Sequence, residues 1–198
     1  MTEFTIQKSP IERELISKVE PVIVNLGYAL RDLEVTPGSG STVRITLEPA
    51  PSTAEAIGID DCQKVHQLLG PMFDVWDPLP GAYTLEVSSP GESPSLRTLA
   101  HFQQSVGGLV ELQTTEPIPM PPPAKPRKNW ESKLVSVSES DGSLQLEDSM
   151  GTHTLKISQI KSGSWIRDWA RKNEKPGKQK GQKSGSQKPG QNSGKKRK

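Results

Sequence analysis

The stretch DPLPGAYTLEVSSPGES, residues 77–93, sets Leu85 and Val87 in alternation and then stops on two serines, a proline and a glycine. A period of two marks a half-buried strand, here Ala82 to Val87, and the Pro-Gly pair ends it in a turn. A strand that ends in Ser88-Ser89-Pro90-Gly91 can present a nucleophile, hold a phosphate, or turn a corner. No G-x-S-x-G elbow surrounds the serines, and only His66, His101 and His153 are on hand as a base. Two readings remain side by side. The hydroxyls satisfy backbone groups where strand meets turn, or with the Gly91 amide they offer donors to a phosphate or a partner's backbone.

Upstream, Ser9-Pro10-Ile11-Glu12 has a capping hydroxyl, a proline at the first helical position and an acid placed to reach back. Ile11, Leu15, Val19, Ile23 and Leu26 follow at helical spacing, Pro21 should kink the run, and Gly27 stops it. Strands are expected at Tyr28 to Val35 and Thr42 to Glu48, then a helix from Asp60 to Asp74 with Cys62, Val65, Leu68, Leu69, Met72 and Phe73 on one face. This α-β-β-α-β order stacks two helices on one face of a small sheet.

Downstream the pattern changes. Thr98 caps a short helix that ends at Gly107-Gly108, and Leu109 to Thr114 reads as a strand. After the proline-rich segment 117–126, strands are expected at Trp130 to Ser138, Leu144 to Glu147 and Thr152 to Ile157, with turns at Asp141-Gly142 and Met150-Gly151. Such short, closely spaced strands point to a small β-barrel. Trp165 and Trp169, four apart, are expected on a short terminal helix packed against it. The fold class is therefore α+β: an N-terminal α/β domain (1–97), a small β-barrel domain (98–170) and a disordered Lys-rich tail (171–198). The tail is too poor in apolar residues to offset the entropy of ordering.

Composition narrows the setting. Only 31% of the 198 residues are hydrophobic and mean hydropathy is −0.60. One cysteine, Cys62, excludes an intrachain disulfide and fits a reducing compartment. Neither a secretory signal nor a long apolar run is present, so a cytoplasmic protein with no membrane partner is expected. The charge is lopsided. Of 25 Lys and Arg and 23 Asp and Glu, eleven basic residues and one acid fall in 171–198, leaving 14 and 22 for the other 170 positions. Such a tail attracts phosphate without regard to sequence, while the acidic body repels a polyanion and suits a basic protein.

The run quoted first, with LRTLAHFQQSVG at 96–107 after it and IGIDDCQKVHQLL at 57–69 before it, resembles the bacterial ribosome maturation factor RimP family. The resemblance spans about residues 8–165. It implies an N-terminal α/β domain, an SH3- or Sm-like barrel, and a non-enzymatic role in assembly of the small (30S) ribosomal subunit. The implied partners are the immature subunit, its ribosomal RNA and a small-subunit ribosomal protein, met by a monomer. Two departures stand out. The family's Leu-Asp-Arg-Pro-Leu after Gly91 is Glu92-Ser93-Pro94-Ser95-Leu96 here, so an Asp–Arg pair is missing and Arg97 is its nearest substitute. The barrel's Phe-x-Gly-x-Leu appears as Trp130-Glu131-Ser132-Lys133-Leu134.

Candidate contacts follow. For the subunit and its RNA they are Ser88, Ser89, Pro90, Gly91, Arg97, Arg127 and Lys128. From the tail they are Lys175, Lys178, Lys180, Lys183, Lys188, Lys195, Lys196, Arg197 and Lys198. For a basic protein they are Asp60, Asp61 and Asp77, each of which also reads simply as a helix-end or turn carboxylate. Trp130 reads as barrel core, and Cys62 as core of the second helix. The histidines and the single cysteine lack zinc spacing, and Gly107-Gly108 is no nucleotide fingerprint, so neither metal nor cofactor is expected. Two rivals remain: a generic RNA-binding protein with an Sm-like barrel, and a serine-dependent hydrolase.

Overall fold

The structure is a computed structural model and describes residues 5–38, 40–50 and 56–166. Helix α1 (Pro10–Asn25) begins as its sequence dictates: the Ser9 hydroxyl accepts from the Glu12 amide at 3.3 Å, and the Glu12 carboxylate accepts from the Ser9 amide at 2.8 Å. Burial works to raise the Glu12 pKa, but the Ser9 hydroxyl and amide and the Val35 amide outweigh it and leave it lowered. The helix runs on through Pro21, whose missing N–H leaves one helix bond unmade.

Strand β1 (Tyr28–Thr36) pairs antiparallel with β2 (Ser41–Pro49), and β2 pairs parallel with β3 (Tyr83–Ser88). A parallel neighbour needs a crossover, which α2 (Ile59–Trp76) supplies. The β1–β2 register slips between Leu30 and Asp32, so Arg31 is the extra residue of a bulge. The slip keeps Leu30 opposite Leu47 and Leu33 opposite Ile45. With strict alternation one of these leucines would face away from the core. Leu15, Val19 and Ile23 of α1 and Val65, Leu69 and Phe73 of α2 close over these strands in one apolar cluster, with Cys62 packed at its border.

The second half starts with α3 (Leu99–Gln104) and continues through β4 (Leu109–Ile118), β5 (Arg127–Val137), β6 (Ser143–Asp148), β7 (Gly151–Lys156), a 3-10 turn (Ile157–Gln159) and β8 (Ile160–Ile166). These strands make one antiparallel sheet in the order β7-β6-β5-β4-β8. It curls around a second apolar cluster that includes Leu96, Phe102, Leu112, Trp130, Leu134 and Leu146, and Ile6 from the N-terminal arm joins it. Among the described residues no ladder joins β7 to β8.

The mixed α+β class agrees with the sequence, and the first half runs α1-β1-β2-α2-β3. The terminal helix is a correction. Trp165 lies on β8 opposite Val110 of β4, and its amide donates to the Pro94 carbonyl at 3.0 Å. Partners on both sides satisfy this backbone as a strand, which outweighs a helical spacing of two tryptophans. Trp169 and the tail lie outside the described residues. Among the described residues, no helix is long and apolar enough to cross a membrane.

Candidate interaction site between the two sheets

Alternation along β1 and β2 places Asp32, Glu34 and Glu48 on the sheet face opposite the helices. The segment after β3 lies against this face. The Arg31 Nε donates to the Ser95 carbonyl at 2.7 Å, and its guanidinium pairs with Glu48 at 2.9 Å. Arg97 donates back to the carbonyls of Arg31 and Leu30 at 3.1 and 2.8 Å, and to the Glu20 carboxylate at 2.8 Å. His101 Nδ1 accepts from the Arg97 and Thr98 amides at 3.1 and 3.3 Å. The ring proton therefore sits on Nε2, which donates to Glu48 at 3.1 Å. Lys8 meets Asp32 at 2.7 Å, both side chains buried.

Burial works to raise the Glu48 pKa, but the His101 hydrogen bond and the Arg31 guanidinium outweigh it and hold it low. Buried charges in low dielectric are costly unless paired, so the network acts above all to specify one way of seating the second half on the first. Sequence reading missed this joint because its partners lie tens of residues apart.

A groove of about 660 Å³ runs beside the joint, between Glu34 of β1, Ser93 and Ser95 of the connecting segment, and strands β4, β5 and β8. Its β5 wall is stacked: the Arg127 guanidinium lies 4.6 Å from the centre of the buried Trp130 ring, and His153 meets that ring edge-on at 5.3 Å. Arg127 also pairs with Asp148, which accepts from the Met150 amide at 2.8 Å and from the Ser132 hydroxyl at 3.3 Å, and lies 3.2 Å from His153 Nε2. Burial works to raise the Asp148 carboxyl, but the Arg127, Met150 and His153 hydrogen bonds outweigh it and hold it at about 2. Ser132 is thus buried with its hydroxyl partnered. Among the described residues, the buried side-chain polar atoms without a partner are Ser95 Oγ and Trp130 Nε1, and both residues line the groove.

The candidate contacts fare unequally. Arg97, expected as a contact, is 7% exposed and its guanidinium is committed to two carbonyls and Glu20. Arg127 is half-buried and paired, whereas Lys128 is exposed. Ser89 and Gly91 are exposed, with Ser88 and Pro90 half-buried, and Gly91 has the positive φ of 64° that its turn needs.

Asp60, Asp61 and Asp77 do not converge. Asp61 accepts from the Gly58 amide and the Tyr28 hydroxyl at the start of α2, while Asp77 caps its far end, roughly 24 Å along the axis. The tail lysines and Arg197 lie outside the described residues.

Among the described residues, no hydrogen bond links Ser88 or Ser89 to a histidine, and His101 uses both ring nitrogens elsewhere. No cluster of His, Cys, Asp or Glu among them could hold a metal ion. Residues 18–93, from the middle of α1 to the turn after β3, match the family model described as RimP N-terminal domain. The resemblance to the RimP family read from the sequence is shown over those residues.

Proposed function

We propose that this protein is a non-enzymatic assembly factor that binds the immature small (30S) ribosomal subunit in the cytoplasm as a monomer. The observation that carries the reading is the RimP N-terminal domain over residues 18–93. Residues 1–97 form its α/β domain, 98–170 an SH3- or Sm-like barrel, and 171–198 a polycationic tail that follows ribosomal RNA. The exposed Ser89, Gly91 and Lys128, with Pro90 between the first two, supply further contacts to RNA or to a small-subunit ribosomal protein. The mechanism is selection: a factor that binds the immature arrangement more tightly than the finished one shifts the population toward productive folding of the subunit.

Lysate sedimented through a sucrose gradient at low and moderate salt tests this. Co-migration with free small subunits and absence from full ribosomes is expected. Spread over all RNA-containing fractions supports generic RNA binding instead, and labelling of Ser88 or Ser89 by a serine-directed probe supports a hydrolase.

A further inference from the structure

We propose that, when no RNA is bound, the groove between the two sheets receives the chain's own basic segment, residues 171–198. Connectivity puts the segment at the groove's edge. Ser162, Gly163 and Ser164 of β8 form one wall, and the described chain ends at Ile166. Residue 171 can lie no farther than about 24 Å from Ser164 even on a fully extended chain. A tethered segment meets the groove at millimolar effective concentration, so contacts too weak to hold a free peptide suffice.

Charge favours this occupant. Glu34 and Glu111 line the groove, and among the described residues neither has an ion-pair or hydrogen-bond partner. Arg127, the cation in the wall, is paired with Asp148 and laid over Trp130, so it does not neutralise them. The segment brings eleven basic residues against one acid, spaced by Gly, Ser and Gln that suit polar walls. A second observation is independent of charge. Trp130, 2% exposed, has an Nε1 donor without an acceptor, and the Ser95 hydroxyl in the same lining is also unmatched. Buried polar atoms are rarely left so; both are closed to solvent here, so an occupant's carbonyls reach them only once the lining opens. The glutamates then hold the place that RNA phosphates take, and RNA must displace them to gain the tail.

A water-soluble carbodiimide tests this on the full-length protein without RNA. It joins a Lys Nζ to a carboxylate carbon as an amide, the carbodiimide taking up the water released, and peptide mapping reads the links. Links from tail lysines to Glu34 and Glu111 are expected within monomers, independent of dilution and suppressed by a single-stranded RNA oligomer. The E34Q/E111Q variant should bind that RNA about 3–10-fold more tightly at low salt, as for a tail docked some 70–90% of the time. Should that variant melt early, K172Q/K175Q/K178Q/K180Q leaves residues 5–166 unchanged and should lower the yield of links to Glu34 and Glu111.

Links scattered evenly over Asp60, Asp74 and other surface acids, links only between copies, or unchanged RNA affinity in a stable E34Q/E111Q would overturn the proposal. The readouts need no ribosomal subunit. A chain that links to the groove but fails to co-sediment keeps this inference and loses the preceding reading.

Discussion

His101 Nε2 lies 3.1 Å from a carboxylate oxygen of Glu48, a hydrogen bond that ties the first helix of the second half to the central strand of the first. Because Nδ1 accepts two backbone amides, the neutral ring already makes every bond asked of it. Replacing His101 with alanine strands those amides in a buried site. Unfolding in urea should show a loss of about 1–3 kcal/mol.

Asp148 supplies the pH dependence of the second half. Its folded pKa, about 2, lies below the ordinary 3.8, so folding favours the ionised form. That stabilisation is fully present above about pH 4 and disappears as pH falls toward 2. Glu48, also held low, adds to the same acid limb. Melting temperature across pH 2–5 should therefore fall less steeply in Asp148→Asn than in the parent, from a lower starting value.

Arg97 separates a joint residue from an RNA contact. Arg97→Gln deprives the carbonyls of Leu30 and Arg31 of their donors and should cost about 1–3 kcal/mol of stability. The salt slope of RNA binding should stay as it is, whereas loss of a true phosphate contact would reduce it by nearly one unit.

Gly163 is required by packing, not by a turn. A Cβ there would meet Leu112 Cδ2 at 2.7 Å, with Leu96 Cβ at 3.6 Å behind it. Gly163→Ala should destabilise the protein by about 1–3 kcal/mol, read from chemical denaturation.

Removal of residues 171–198 should weaken RNA binding at low salt and flatten its dependence on log salt, because each phosphate neutralised contributes nearly one unit of slope on a duplex. An unchanged slope would show that RNA contacts lie wholly on the folded part.

The elements of the first half were legible because their causes are local. Ser9 and Glu12 cap α1 wherever it lies, Val43-Ile45-Leu47 alternate only as a strand, and Gly91 admits its turn by lacking a Cβ. Strand β8 was illegible because Ile160–Ile166 carries Ser-Gly-Ser at its centre and becomes a strand only through β4 and residues 94–96. The site was less legible still. Arg97 read as the nearest substitute for a missing arginine, yet its partners are the carbonyls of β1 and a carboxylate on α1.

By itself, then, the sequence determined the class of fold, the family likeness around residues 77–93 and the division of charge between body and tail, all of which rest on short-range pattern and composition. Only the tertiary structure decided which charges are available. Pairing buries Arg97, Arg31 and Lys8 against partners distant in the chain, and among the described residues it leaves Glu34 and Glu111 unpaired in the groove. The physical reason is that a charge's role depends on its desolvation and its nearest opposite charge, and both are set by contacts the chain makes only once it has folded.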